Sequence, residues 1–127
     1  MRTVDYTQIV ESVRQMCLEA NTVLPPDVEE ALAAAARAEA SPVGRDVLRT
    51  VLESAAIAKA KPMAICQDTG MVVVLAELGQ DVHITGGLLT DAINEGVRQG
   101  YEQFYFRKSV VEDPLLRVNT GDNTPAV

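Results

Sequence analysis

The chain has 127 residues, 47% of them apolar and 23% charged, with a formal net charge of −7. That length suits one domain with a real core, and that composition belongs to a folded globular protein rather than a disordered one. The acidic balance, with no cluster of Lys or Arg, argues against nucleic acid or an anionic membrane surface as the main partner.

The apolar runs fall far short of the roughly 20 residues that a membrane span requires. The N-terminal Met1-Arg2-Thr3-Val4-Asp5 lacks the apolar core of an export signal, so a cytoplasmic address is expected. Cys17 and Cys66 show no paired spacing of the zinc or redox kind, and in the cytoplasm a disulfide between them is not expected.

A first helix is expected over 4–20. Ile9, Val10, Val13, Met16, Cys17 and Ala20 recur at helical spacing, Thr3 or Asp5 can cap the start, and Asn21 is a plausible stop. Cys17 lies in that stripe and reads as a small buried hydrophobe. A second helix starts at Pro25-Pro26-Asp27, where proline suits the first turn and Asp27, Glu29 and Glu30 face the positive end of the helix dipole. Its continuation over 31–40 is alanine-rich, which favours helix and permits close packing. Ser41-Pro42 restarts the chain as N-cap and first helical residue of a third helix. Val43, Val47, Leu48, Val51, Leu52 and Ala55 form its apolar face, and Pro62 forces its end near 59–61.

Residues 63–65 read as a short strand that delivers Cys66, and Gly70 allows a sharp turn or a close backbone approach. Residues 71–78 are apolar without clean alternation, which suits a strand buried on both faces. After a turn at 79–81, residues 82–84 offer another strand, with His83 a strand residue rather than a ligand. A loop at 85–87 leads into a fourth helix from 88 or 90 to 104, with Leu89, Ile93, Val97, Tyr101 and Phe104 as its buried stripe. Gly96 and Gly100 weaken that helix unless another backbone passes close by. The expected fold class is α+β or α/β: N-terminal helices, two to three short strands, then a long helix. The domain reads as incomplete, with apolar surface left open on 71–78 and on the fourth helix.

Two polar stretches could carry chemistry. In Cys66-Gln67-Asp68-Thr69-Gly70, the thiol is either a buried structural group, a nucleophile in want of a histidine, or a soft metal ligand. Asp68 suits proton transfer and Gln67 can orient a polar ligand, although Asp and Gly are also ordinary turn residues. The tail from Asn119 to Thr124 is dense in hydrogen-bonding side chains and reads as a structured wall. Arg107, Lys108 and Arg117 are the cations near it; they are solvated loop charges or a place to gather a carboxylate.

These two stretches, the second running Arg117-Val118-Asn119-Thr120-Gly121-Asp122-Asn123-Thr124-Pro125-Ala126, resemble the N-terminal region of the class I, iron–sulfur fumarate hydratases and the related L-tartrate dehydratase α subunits. The stretch Ile93-Asn94-Glu95-Gly96-Val97-Arg98-Gln99-Gly100-Tyr101 is similar as well. The resemblance implies reversible hydration of fumarate to L-malate, or dehydration of tartrate, with a [4Fe-4S] cluster held by three cysteines. It implies that Cys66 is a cluster ligand and that Gln67, Asp68 and Thr69 contact substrate, with Asp68 protonating the departing hydroxyl. Arg107 would pair with a substrate carboxylate, and Asn119, Thr120 and Asp122 would line the cavity. Only one of the three expected cysteines is present. The other two ligands are implied beyond Val127, and the catalytic base in a β subunit or C-terminal domain of the same enzyme. On this reading residues 1–127 are the N-terminal portion of an α domain, truncated at its C-terminus. It takes a small dicarboxylate within a homo- or hetero-oligomer and is inactive alone. The alternative is a non-catalytic module of the same fold that docks on a partner subunit.

Overall fold

The computed structural model describes residues Met1–Val127. Six elements follow one another: β1 (Arg2–Asp5), α1 (Tyr6–Thr22), α2 (Pro26–Ala38), α3 (Pro42–Ala60), β2 (Val82–Thr85) and α4 (Leu89–Gln103). This is an α+β fold, as expected. The chain divides into two compact units, one of Met1–Leu18 with Gln67–Val127 and the other of Glu19–Cys66.

The first unit holds the two-stranded sheet. β1 and β2 run parallel, with Arg2 opposite Val82 and Asp5 opposite Thr85. The strand expected at 82–84 is present, but its partner is the N-terminus. Residues 4 and 5 are expected at the start of the first helix. They pair as a strand instead, and the helix starts at Tyr6 because Asp5 caps it. The Asp5 carboxylate accepts from the Thr7 N–H at 2.9 Å, and the Gln8 side chain reaches back to the Asp5 N–H at 3.0 Å.

α4 packs against α1 within the same unit. A Cβ on Gly96 would lie 2.6 Å from the Val13 Cβ and 2.7 Å from the Val10 carbonyl oxygen, and one on Gly100 would lie 3.0 Å from the Cys17 Cβ. The two glycines are there because α1 passes against them, as their cost inside a helix suggested. Val13, Cys17, Ala92, Val97 and Tyr101 are buried around this crossing. Of the stripe expected to be buried, Val97 and Tyr101 are buried and Leu89, Ile93 and Phe104 are half-buried, so the open apolar surface expected on α4 is only partly there.

The 63–65 and 71–78 segments are not strands. Met63 N–H donates to the Ala58 carbonyl and Ile65 N–H to the Asn21 carbonyl, so the backbone of 63–65 hooks onto helix ends instead of a sheet. Residues 71–78 touch one residue in ladder fashion: Val127 N–H donates to the Val72 carbonyl, and Val74 N–H to the Val127 carbonyl. Met71, Val73, Leu75 and Leu78 are exposed, Leu75 by 95%. The double burial expected of this run is absent, and the uncovered apolar surface expected of it is present.

The second unit is a helical pair, α2 and α3, with the last turn of α1. Pro26 opens α2 with Asp27 and Glu29 in its first turn and Arg37 in its last, each favourable to the helix dipole. Ser41 caps α3, accepting from the Gly44 N–H at 3.4 Å. Ala55 and Ala58 are the buried residues of α3, with Leu48 and Leu52 half-buried, while Val43, Val47 and Val51 are exposed. The covered face is thus turned about one residue's arc away from the valine stripe expected to be core. No helix is long and apolar enough to cross a membrane.

Candidate functional site

Cys66 is the last residue of the second unit, and Gln67 opens the returning part of the first. Cys66 lies in a bend and is exposed, so it is neither at a strand end nor a buried structural thiol. Cys17 is buried in α1, and burial pushes its thiol up to about 11. It is a protonated, hydrophobic group at neutral pH, as its place in the stripe implied.

Gln67 and Asp68 are exposed. One Asp68 carboxylate oxygen accepts from the Gly70 N–H at 3.1 Å, closing a side-chain turn. Gly70 has φ of 62°, while a Cβ there would meet nothing within 4 Å. Turn conformation, not a close approach, requires this glycine. Thr69 points its hydroxyl at the Arg107 carbonyl, 3.0 Å away.

The loop after α4 is fixed by its apolar residues. Phe106 is buried edge-on against Tyr101, with centroids 5.6 Å apart, and Val110 is buried a few residues later. Arg107 and Lys108 are held between these anchors. The Arg107 side chain is exposed and makes no ion pair.

The tail is structured throughout. Asn119 donates to the Lys108 carbonyl at 2.8 Å and accepts from the Gly121 N–H at 2.7 Å. Thr120 N–H donates to the Val110 carbonyl at 3.0 Å, and the Thr120 hydroxyl bonds the same oxygen at 3.3 Å. Asp122 accepts from the N–H and the hydroxyl of Thr124, at 3.0 and 2.8 Å. Partial burial works against the Asp122 charge, but the hydroxyl and N–H of Thr124 and the Thr120 hydroxyl outweigh it and hold the carboxyl below its ordinary range. Arg117, at φ of 57°, is exposed at the start of this tail. The polar atoms of Asn119, Thr120 and Asp122 thus serve the chain's own backbone and shape the wall.

Three residues outside the expected substrate contacts tie these segments together. Asn123 is fully buried. Its amide N–H donates to the Gly70 carbonyl at 3.1 Å, and its carbonyl accepts from the N–H groups of Ser109 and Val110 at 2.6 and 3.1 Å. The Tyr101 hydroxyl donates to the Thr69 carbonyl at 2.7 Å and approaches that of Gly70 at 3.3 Å. Asn94 accepts from the Ala126 N–H at 2.9 Å. A signal for two of them was available: a core tyrosine needs a partner for its hydroxyl, and an Asn in a turn-rich stretch tolerates the left-handed backbone, here φ of 65°. His83 sits exposed on β2, opposite Thr3.

A [4Fe-4S] cluster is held by several cysteine thiolates. This chain offers one exposed thiol, Cys66, and no group of three His, Cys, Asp or Glu side chains is arranged to hold a metal ion. Its residues do not make a cluster site by themselves.

A family model described as fumarate hydratase (Fumerase) matches residues 10–127. The chain is similar to a protein of Methanocaldococcus jannaschii named "Putative L(+)-tartrate dehydratase subunit alpha", with 31% identity across 94% of this chain and 44% of that protein. It is similar to fumarate hydratase 2 of Leishmania major, 37% identical over 69% of this chain and 16% of the relative. Fumarate hydratase class I, anaerobic, of Escherichia coli K12 is 32% identical over the same shares, 69% and 16%. The chain spans less than half the length of each of these relatives. The matched residues contain both polar stretches and the helix that bonds them, and the chain belongs to the fumarate hydratase (Fumerase) family.

Proposed function

We propose that this chain supplies the substrate-facing polar wall of a hydro-lyase that interconverts fumarate and L-malate, working within a larger enzyme that includes a β subunit or C-terminal domain. One observation carries the reading: Asn123 and Tyr101 bond the turn after Asp68 to the loop that presents Arg107, so a carboxylate acid and an unpaired guanidinium belong to one connected structure. Arg107 binds one carboxylate of the dicarboxylate through its fork of N–H donors. Gln67 orients the substrate through its amide, with the Thr69 hydroxyl beside it. Asp68 gives a proton to the departing hydroxyl in the dehydration direction and recovers it in hydration. Asn119, Thr120 and Asp122 form the wall that keeps these groups in register. Cys66 is this chain's single thiolate toward an iron–sulfur cluster whose remaining ligands come from elsewhere in the enzyme. When bound, such a cluster supplies Lewis-acid help to a poor leaving group.

Dehydration of tartrate is the second reading, because the relative named as a tartrate dehydratase α subunit matches along 94% of this chain while the fumarate hydratases match along 69%. The test is made in the complete enzyme with fumarate, L-malate and L-tartrate. Asp68→Asn should lower turnover on the true substrate by about 10²–10⁴-fold, and Arg107→Ala should raise KM more than it lowers kcat. Unchanged turnover in both variants sinks the hydro-lyase role and leaves a non-catalytic docking module. A preference for tartrate moves the assignment to the second reading.

A further inference from the structure

Most of the buried atoms in this molecule are apolar, and the fully buried Asn123 is a conspicuous exception. A buried amide must have its donors and acceptors satisfied, and each partner it takes is thereby fixed in place. Asn123 takes partners from two different elements. Its acceptor arm holds the Ser109 and Val110 N–H groups, immediately after Arg107 and Lys108. Its donor arm holds the carbonyl of Gly70, the residue whose N–H closes the turn made by Asp68. The Tyr101 hydroxyl bonds the 69–70 carbonyls while its ring and backbone carbonyl meet Phe106, and Thr69 ties to the Arg107 carbonyl from an exposed position where water competes.

We propose that Asn123 is the positioning residue of this site: its two amide arms set the spacing between the Asp68 turn and the Arg107 loop, and so select a ligand long enough to engage both. The proposal rests on the site reading above and adds to it the determinant of ligand length. A four-carbon dicarboxylate feels that spacing at both ends. A monocarboxylate such as acetate needs Arg107 alone and is indifferent to it.

Asn123→Asp separates the arms. The carboxylate keeps the acceptor positions for Ser109 and Val110 and loses the N–H to Gly70. The experiment uses the 127-residue chain, isotopically labelled, with three readings. In the folded variant the Ser109 and Val110 amides should remain protected, while the nuclear Overhauser contact between Thr69 and Arg107 weakens. Fumarate binding should fall by about tenfold, roughly what one hydrogen bond to a charged or buried group is worth, while acetate binding stays as in the wild type. A purely structural role would lower both ligands together or neither. An unchanged Thr69–Arg107 contact with an unchanged fumarate-to-acetate ratio overturns the proposal. Should the variant fail to fold, the wild-type Asn123 side-chain amide decides it. Its protons must exchange as slowly as the Ser109 and Val110 amides, and exchange at the rate of an exposed Asn overturns the latch. If the wild-type chain binds neither ligand, the Thr69–Arg107 contact alone judges the positioning role, and the site reading is judged in the complete enzyme.

Discussion

The Cα of Gly96 faces Val13 so closely that an added Cβ would stand 2.6 Å from the Val13 Cβ. Nothing flexible gives way there, because the next obstacle is the Val10 carbonyl at 2.7 Å. Gly96→Ala, usually a gain inside a helix, should therefore destabilise the protein by about 1–3 kcal/mol through overpacking. Gly79→Ala, whose new methyl meets only the Val82 Cγ2 at 3.7 Å, is the control. Urea midpoints of the two variants check this, and equal midpoints would contradict the close approach of α1 and α4.

Tyr101→Phe keeps the buried ring against Phe106 and removes only the hydroxyl. Two backbone carbonyls then lose a donor, although Gly70 keeps Asn123. The expected loss is about 1–2 kcal/mol, the cost of an unmet buried hydrogen bond. Amide exchange should quicken around 69–70 and leave α2 and α3 unchanged. A uniform change over the whole chain would mean that the hydroxyl acts on the core instead of the turn.

Acid should weaken the first unit by way of α4. Bonds from Arg98, then Gln99, bring the Glu95 carboxyl from its ordinary 4.5 down to about 2. Asp122 is lowered too, and its charge contributes to raising Arg98. A carboxylate depressed by folding stabilises fully above its unfolded value and loses that contribution as pH falls toward the folded one. The decline should fall between pH 4.5 and about 2. Because Arg98 is substantially exposed, the Glu95 pair is worth about 0.5–1 kcal/mol and no more. Glu95→Gln should cost about that much at pH 7 and flatten the acid limb, as seen in urea midpoints at pH 7, 4.5 and 3.

The two cysteines should separate by chemistry. Cys66 is exposed and Cys17 is buried. An excess of a chromogenic disulfide at pH 8 should consume Cys66 promptly in the native chain and reach Cys17 only with denaturant. Mass spectrometry of the labelled peptides checks the assignment. In the complete enzyme, Cys66→Ser should lower iron content, and full iron retention would remove Cys66 from the ligand set.

The local punctuation of the chain was legible. Pro26, Ser41-Pro42 and Pro62 each act as their chemistry dictates, and the paired glycines of α4 pointed correctly to a passing backbone. The apolar segments were harder. Valine at 43, 47 and 51 has the same periodicity whether it faces core or water, and only the placement of α2 selects Leu48, Leu52 and Ala55. The run at 71–78 has the composition of an interior strand, but the hydrogen-bond partners that make a strand lie far away in sequence, and only Val127 takes that place. Residues 2–5 were missed for the same reason, since their partner is at 82–85. In the site, residue types located the two polar stretches. The hydrogen bonds that join them depend on which amide is buried, and composition does not reveal that for Asn123.

The parallel pairing of Arg2 with Val82 has a kinetic consequence. β1 must wait for β2, carrying the cost of closing a long loop before any ladder bond rewards it. The α2–α3 hairpin, whose contacts are near in sequence, forms without that delay. The sheet therefore closes around a helical hairpin that has already formed between its two strands in sequence.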